Sequence, residues 1–412
     1  MAEHYDAIET RDPAMREAAL MAALPGQISH AQKNAPGFAR ILAGVNAGDI
    51  KSRAALAQLP VTRKSELADL QRAMPPFGGL NATPTHKLAR VFVSPGQTHD
   101  PEGQREDFWR FARPLFAAGM RPGDIVQNCF SYHFTPAASM VEGGLRKLGC
   151  AVIPAGVGQT ELQISAIVDL KPSGYAGTPS FLKIIVEKAL ETGADISCMK
   201  RALVGAEALP ASLRAWLGEQ GVRTLQMYAS ADLGNIAYES EALEGMIVGE
   251  DLILELVRPG SGEPVKDGEV GEVVVTTLNQ DYPLIRFGTG DLSAVLPGCS
   301  PCGRTNIRIK GWMGRANQST KVKGMFVHPS QVADVLRRHR EIIKARLVVD
   351  NDGGADRMTL QCEIRDSGAP NLGTTIVDSI RDVTKLRGVV LFKTPGELPN
   401  DGKVIDDVRK YD

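Results

Sequence analysis

Three charged residues in the second half of the chain, Lys403, Asp291 and Arg315, each follow a glycine. The lysine ammonium sits on a flexible stem and can act as a point charge between a carboxylate and a phosphate. The two oxygens of an aspartate carboxylate can accept hydrogen bonds from two neighbouring hydroxyl groups. Such groups are candidates for binding a ligand. The simpler alternatives are a solvated surface lysine, a turn aspartate and a linker arginine.

Length and charge limit the classes of protein to which the chain can belong. It has 412 residues, with 47 Lys and Arg against 48 Asp and Glu, and its net charge is −1. This balance argues against a general binder of nucleic acid or other polyanions. The acidic amino terminus does not resemble a secretory signal, and no window has the ~20 uninterrupted apolar residues of a membrane helix. We therefore expect no nucleic-acid partner, no membrane association and a cytoplasmic location.

The six cysteines are sparse, as is typical of a reduced cytosolic protein. Cys299 and Cys302 have the CxxC spacing of half a zinc site. The segment after Asp232 contains neither Cys nor His to supply the other ligands. Because two thiolates do not complete a tetrahedral site, the sequence predicts no zinc.

The hydrophobic pattern divides the chain into four parts. The first eighty residues indicate helices and loops, including a helix over residues 14–24 that ends at Pro25. Short β-rich runs then alternate with helical stretches, which predicts parallel βαβ units, with strands at 87–93, 124–130, 150–154, 173–177, 201–204 and 223–227. An antiparallel or barrel-like part is predicted next, with strands at 251–257, 271–277, 284–287 and 292–296. The last part alternates helices at 329–339 and 374–384 with strands at 345–350, 357–364 and 388–392.

We therefore predict an α/β fold with two domains. The large N-terminal domain, residues 1–314, contains parallel α/β sheets and a small β-barrel-like part. The small C-terminal domain, residues 315–412, has an α+β fold. Ligands of such sheets bind in the loops at the carboxyl ends of the parallel strands, so we expect the site there.

Nine segments in the same order resemble the adenylate-forming acyl-CoA ligases and, among them, the phenylacetate–CoA ligase branch. They are LPVTRKSEL (59–67), AAGMRPGDIVQN (117–128), GGLRKLGCAVIPAGVGQTELQ (143–163), KPSGYAGTPSFL (171–182), GAEALP (205–210), MYASAD (227–232), YPLIRFGTGDL (282–292), GRANQSTKVKGMFVHP (314–329) and LPNDGKV (398–404). The likeness covers nearly the whole chain. Nine ordered matches are far more specific than any one of them.

The resemblance implies an ATP-dependent, AMP-forming ligation of an aryl carboxylic acid to coenzyme A, with Mg²⁺ as a further cofactor. In this family a carboxylate attacks the α-phosphorus of ATP, which gives acyl-AMP and pyrophosphate, and a thiol then takes the acyl group. Lys403 is then the catalytic lysine on a mobile C-terminal domain. Asp291 accepts both ribose hydroxyls, and Arg315 reaches ribose or phosphate. A homodimer is implied only by analogy with relatives.

The same resemblance assigns further residues to the nucleotide. The tight turn against which adenine stacks is Gly205, Ala206 and Glu207, and the segment that flanks adenine is Tyr228, Ala229 and Ser230. The phosphate-binding loop contributes Ser94, Gly96 and Thr98. Asp232 offers oxygen ligands to Mg²⁺. For Tyr228, a core aromatic with a satisfied hydroxyl is an equal alternative.

The acyl and thiol sites follow from the resemblance as well. Tyr132, Phe134 and Ile236 are assigned to the wall of an aryl pocket, although aromatics at a strand exit are more often plain core. Lys323 and Gly324 are assigned to the loop that forms the pantetheine tunnel, where a glycine allows close backbone approach. A carrier-protein arm, or no thiol at all, is the alternative to coenzyme A.

Two segments depart from the family pattern. Where the family's phosphate loop reads SSGTTGKP, residues 94–101 read SPGQTHDP, so Pro95 replaces a serine and Asp100 replaces the lysine. Fewer donors and an added negative charge predict weaker ATP binding. At the pivot between the domains, Asn317 and Gln318 replace paired acids. A ligase-like protein with lost or altered adenylation, which binds an aryl or CoA ligand or acts on a CoA ester without ATP, is therefore the alternative function.

Overall fold

The computed structural model describes residues 3–94, 98–316, 318–322, 325–352, 355–365 and 371–409. The chain divides into two compact units. The first unit comprises Met1–Leu254, Val275–Phe287 and Leu296–Trp312. The second comprises Glu255–Val274, Gly288–Val295 and Met313–Asp412. None of the helices in the described residues has the length and apolar character to cross a bilayer.

Helices and strands occur in both units. The α-helices are α1 Pro13–Asn34, α2 Pro36–Ile41, α3 Arg53–Leu56, α4 Leu67–Ala73, α5 Ala112–Ala117, α6 Ala137–Leu148, α7 Thr160–Leu170, α8 Pro179–Thr192, α9 Ala211–Glu219, α10 Pro329–Arg338 and α11 Leu372–Thr384. The strands are β1 Thr62–Arg63, β2 Arg90–Val93, β3 His99–Glu102, β4 Ile125–Asn128, β5 Ala151–Pro154, β6 Gly174–Gly177, β7 Arg201–Val204, β8 Arg223–Ser230, β9 Gly234–Tyr238, β10 Met246–Val248, β11 Leu252–Val257, β12 Gly271–Thr277, β13 Phe287–Ser293, β14 Val295–Leu296, β15 Arg308–Ile309, β16 Thr320–Val322, β17 Met325–Val327, β18 Ile342–Asp352, β19 Ala355–Ile364, β20 Val389–Lys393 and β21 Ile405–Asp407.

A mixed sheet forms the centre of the first unit. Its strand order is β14-β15-β10-β9-β8-β7-β6-β4-β5. The strands β5, β4, β6, β7 and β8 pair in parallel, whereas β9, β10 and β15 continue the sheet in antiparallel pairs. One helix lies in each crossover of the parallel part, in the chain order β4-α6-β5-α7-β6-α8-β7-α9-β8. The predicted βαβ units, and with them the mixed α/β class, are confirmed.

Helices cover both faces of this sheet at β7, which explains why residues 202–204 of that strand are apolar. Along β7, Ala202 and Val204 pack in one cluster with residues of α7, α8 and α9. Leu203, between them, packs in a second cluster with residues of α5 and α6. Both faces are therefore closed, and the strand ends are where a ligand can approach the sheet.

Capping residues determine where the crossover helices begin and end. The Thr178 hydroxyl accepts a hydrogen bond from the Phe181 N–H, with Pro179 as the first residue of α8. Gly149 ends α6 and Gly193 ends α8, with φ of 80° and 68°. Such left-handed angles suit glycine and stop a helix sharply.

Several expected element boundaries were wrong, among them those of the strands expected over 87–93 and 292–296, and two of the errors have a clear structural cause. Helix α1 does not stop at Pro25 but runs through it to Asn34. A proline in a helix loses one backbone hydrogen bond, but Leu24, Ile28 and Ala31 are fully buried at helical spacing and hold the two halves together. The strand expected over 284–287 begins only at its last residue, because Arg286 has a φ of 43° that an extended strand cannot accommodate.

The second unit contains the predicted C-terminal α+β elements. A four-stranded sheet in the order β20-β19-β18-β21 packs apolar side chains against α10 and α11. The hairpin β16–β17 precedes α10. The strands β1, β13, β12 and β11 form another four-stranded sheet in that order, and the chain passes between the units within β11, β12 and β13.

Candidate functional site

The predicted phosphate loop connects the antiparallel strands β2 and β3. Ser94 and Thr98 stand at its two ends, where the Ser94 N–H donates to the Thr98 carbonyl at 2.8 Å. Their hydroxyl oxygens lie 2.6 Å apart, and both residues are buried. Gly96 lies outside the described residues. In this structure the two hydroxyl groups therefore bond to each other.

A buried group of charged side chains lies next to this loop. Asp100 in β3 is fully buried, and neither of its carboxylate oxygens has a hydrogen-bond partner among the described residues. Asp232, just after β8, accepts a 2.5 Å bond from the Lys64 ammonium through Oδ2, whereas its Oδ1 has no such partner. Burial raises the pKa of the Asp100 carboxyl well above its usual range, the charge of Asp232 raises it further, and Lys64 opposes the rise.

The predicted adenine turn lies at the carboxyl end of β7. Gly205 is buried there, and a Cβ on it would meet the Met227 side chain at 2.9 Å, so only glycine fits without rearrangement. Ala206 has a φ of 66° and is exposed together with Glu207. The neighbouring strand β8 carries Tyr228, Ala229 and Ser230 at its own carboxyl end. The structure thus brings both predicted adenine segments to adjacent strand ends.

The residues predicted for the aryl pocket are in different surroundings. Tyr132 is partly exposed, and its hydroxyl donates to Glu142 and accepts from Asn128, each at 2.9 Å. Phe134 is 78% exposed with a φ of 60°, whereas Ile236 in β9 is fully buried. Phe134 and Ile236 therefore do not share one open surface in this structure.

Asp291 and Arg315 form an ion pair within the second unit. Arg315 Nη1 lies 2.7 Å from Asp291 Oδ1. The backbone supports the pair, because the Ala316 N–H donates to Gly290 and the Leu292 N–H donates to Gly314, at 2.7 and 2.9 Å. The aspartate side chain is mostly buried and the guanidinium is 58% exposed. The two residues that the resemblance assigns to the nucleotide, Asp291 to the ribose and Arg315 to ribose or phosphate, therefore lie together.

Lys403 lies in a loop of the second unit that Gln318 fixes. The Gln318 side chain donates to the Gly402 carbonyl at 2.9 Å and accepts from the N–H groups of Val404 and Ile405. Lys403 Nζ is 2.7 Å from Asp406 Oδ1, and the lysine side chain is about half exposed. The neutral Gln318 amide thus forms hydrogen bonds with the backbone on both sides of the predicted catalytic lysine. Asn317, its neighbour at the predicted pivot, lies outside the described residues.

Replacing Gln318 with alanine should release this loop. The variant loses three side-chain hydrogen bonds, each worth about 0.5–1.5 kcal/mol. We expect the amide protons of Val404 and Ile405 to exchange faster, as measured by hydrogen–deuterium exchange. The control is Gln331→Ala, which removes a bond donated to the Val383 carbonyl and one accepted from the His328 N–H in the same unit. Equal protection of Val404 and Ile405 in both variants would contradict the assigned role.

Two remaining predictions concern thiol and metal binding. Lys323 and Gly324, predicted for the coenzyme A tunnel, lie outside the described residues, between β16 and β17. Within the part of the chain that the structure describes, no group of three or more His, Cys, Asp or Glu side chains is placed to hold a metal ion.

Comparison with known proteins identifies the family. Residues 106–279 match the AMP-binding enzyme family. The chain is 31% identical over 424 residues to the phenylacetate–coenzyme A ligase of Thermus thermophilus, covering 93% of this chain and 94% of that protein. It is 32% identical over 359 residues to the phenylacetate–coenzyme A ligase of Aromatoleum evansii, covering 83% and 80% of the two chains. The chain belongs to the phenylacetate–coenzyme A ligase family.

Membership of the phenylacetate–coenzyme A ligase family agrees with the fold of a solved structure. That structure is an open conformation of 2-hydroxyisobutyryl-CoA ligase in complex with 2-HIB-AMP and CoA, and it superposes with a TM-score of 0.73 at 24% identity. The match covers 97% of this chain and 92% of the other. It establishes the common fold and nothing finer.

The sequence analysis did not predict the contacts that two residues, Lys64 and Gln318, make at the candidate site of this phenylacetate–coenzyme A ligase family member. Lys64 lies in the segment LPVTRKSEL, which carried the resemblance but no assigned role, and its partner Asp232 is 168 residues away. Gln318 was noted only as a departure from paired acids, and its contacts with the Lys403 loop span 84 to 87 residues. No local pattern signals either contact.

Proposed function

We propose that the protein is an ATP-dependent, AMP-forming ligase that joins an aryl carboxylic acid to coenzyme A through an acyl-adenylate. The observation that carries the proposal is the Asp291–Arg315 pair, which presents an acceptor and a donor from two segments whose backbones pair with each other. The relatives named as phenylacetate–coenzyme A ligases support an aryl acid as the substrate class.

In the first step, an oxygen of the substrate carboxylate attacks the α-phosphorus of ATP. A new P–O bond forms, and the bond to the leaving pyrophosphate breaks. The Lys403 ammonium donates hydrogen bonds to the carboxylate and the α-phosphate and neutralises the charge that develops there. Asp291 accepts from the ribose hydroxyls, and Arg315 donates to ribose or phosphate.

In the second step, the coenzyme A sulfur attacks the acyl carbon, and the C–O bond to AMP breaks. We assign the thiol channel to Lys323 and Gly324 and the mobile body that carries Lys403 to residues 315–412. Adenine stacks on the turn Gly205–Ala206–Glu207, flanked by Tyr228, Ala229 and Ser230. The phosphates lie at Ser94, Gly96 and Thr98, and the aryl ring lies near Tyr132, Phe134 and Ile236.

Mg²⁺ fits one of the assigned residues. Asp232 Oδ1 is a buried carboxylate oxygen without a hydrogen-bond partner among the described residues, and such an oxygen is a preferred ligand of this ion. When bound, Mg²⁺ neutralises phosphate charge.

We also propose that the protein is a cytoplasmic homodimer. The free cysteines support the cytoplasmic location, and the analogy with relatives supports the homodimer.

Exchange of pyrophosphate into ATP tests the proposed function. With a panel of aryl acids, we expect exchange that depends on the acid, together with a rise in the melting temperature on adding ATP and Mg²⁺. Light scattering during size-exclusion chromatography measures the oligomeric state. Absence of both exchange and ATP-induced stabilisation would contradict the proposal.

A second candidate function lacks the ATP step. The buried Asp100 carboxyl beside the phosphate loop favours it, because a carboxylate at that position opposes a polyphosphate. In that case coenzyme A or an aryl ligand alone should raise the melting temperature, whereas ATP should have no effect.

A further inference from the structure

Four buried or half-buried polar side chains of the first unit lie close enough to interact electrostatically. Asp100, Asp232 and the Tyr282 hydroxyl influence one another, and Lys64 acts on Asp100 and bonds to Asp232. Both oxygens of Asp100, Oδ1 of Asp232 and the Tyr282 hydroxyl have no hydrogen-bond partner among the described residues. Asp100 is fully buried, and Tyr282 is 1% exposed.

This combination is costly unless a proton or a positive ligand neutralises Asp100. A buried polar atom without a partner destabilises a fold by about 1–3 kcal/mol, and two buried carboxylates repel each other. The single ammonium of Lys64 bonds to only one of the four carboxylate oxygens. The unsatisfied atoms are all oxygens, which are the donors that hard cations such as Mg²⁺ prefer.

We propose that Asp100 and Asp232 together form a two-carboxylate site for a divalent cation, and that the Lys64 ammonium takes the place of that cation when it is absent. The proposal rests on the proposed function and deepens it. Asp100, which stands where the family's loop has a lysine, is then a metal ligand rather than a defect. One or two carboxylates are the usual protein contribution to a Mg²⁺ site.

Exposure of the partners explains how an exchange can occur. The Lys64 side chain is 31% exposed, whereas that of Asp232 is completely buried. The lysine can therefore withdraw towards solvent on its flexible stem, and the carboxylate cannot follow it. A cation that binds the two carboxylates displaces the ammonium, which becomes available to the phosphates of a nucleotide.

Binding of Mn²⁺ to the full-length protein without nucleotide tests the site. Electron paramagnetic resonance measures free Mn²⁺, and we expect one bound ion in the wild type. Asp100→Asn should weaken binding more than about tenfold, since even residues outside the ligand set change metal affinity by about 10–100-fold. Lys64→Met should bind more tightly, because it removes the competing charge. Asp169→Asn, an exposed acid on α7, is the matched control and should bind like the wild type.

No Mn²⁺ binding by the wild type, or unchanged binding by Asp100→Asn, would overturn the inference. If Asp100→Asn fails to fold, the comparison of Lys64→Met with the wild type still decides, and equal affinities overturn it. The Mn²⁺ binding test and the pyrophosphate exchange test can fail independently of each other. Nucleotide-free binding without pyrophosphate exchange contradicts only the ligase activity, and exchange without such binding contradicts only the two-carboxylate site.

Discussion

Replacing Lys403 with alanine should lower the rate of pyrophosphate exchange about 10²–10³-fold, which corresponds to about 2.7–4 kcal/mol of transition-state stabilisation. The ammonium is the group that we place on the carboxylate and the α-phosphate during adenylation. Folding should be little affected, because the Lys403 side chain is about half exposed and its ammonium pairs with Asp406 in β21. Exposed ion pairs of this kind contribute about 0–1 kcal/mol.

The matched control for this variant is Lys385→Ala. Lys385 is also an exposed lysine of the second unit with a nearby aspartate, Asp382, at 3.8 Å. It should exchange pyrophosphate at the wild-type rate and unfold at a similar temperature. Retention of exchange by Lys403→Ala would remove the assigned catalytic role, whereas a loss in both variants would indicate a general defect of the unit.

Replacing Asp291 with alanine should weaken ATP binding by about 100-fold or more. We assign two ribose hydroxyls to this carboxylate, and each hydrogen bond to a charged group contributes about 1.5–3 kcal/mol. Arg315 is more than half exposed, so water can solvate its guanidinium in the variant. Isothermal titration with ATP and Mg²⁺ measures the affinity, and thermal unfolding without ligand should change little.

Asp382→Ala is the control for this second variant. Asp382 pairs with Arg338 on the surface of the same unit, and both side chains are about half exposed. This variant also loses an arginine–aspartate ion pair, but neither residue of the pair is assigned to bind a ligand. ATP affinity equal to that of the wild type in Asp291→Ala would show that the ribose is held elsewhere.

Local sequence features were sufficient to predict most of the secondary structure. The strand predicted over 201–204 matches β7 and that over 271–277 matches β12, because short apolar runs between turn residues define such strands. Long-range packing decided the exceptions. Pro25 stays inside α1 because buried residues on both sides hold the helix. The Arg286 guanidinium is drawn inward to the carbonyls of Ala57 and Leu59, which are more than 220 residues away in the chain.

In the candidate site, too, some contacts could be predicted from sequence motifs, and others depend on long-range packing. Ordered motifs assigned Asp291 and Arg315 to the same nucleotide, and the structure brings the two side chains to 2.7 Å. The motifs could not indicate that Lys64 neutralises Asp232, because that contact depends on how β1, α4 and β8 pack. They also could not indicate that Phe134 lies in solvent while Ile236 is buried, since both are apolar residues near strand ends.

The neutral side chain of Gln318 has a consequence for the behaviour of the Lys403 loop in different buffers. Paired acids at this position would hold their partners through charge, and dissolved ions screen charge over about 10 Å at 0.1 M salt. An amide does not ionise, and its hydrogen bonds to Gly402, Val404 and Ile405 involve only backbone groups. This anchor should therefore keep its strength from low to high ionic strength and from acid to alkaline conditions.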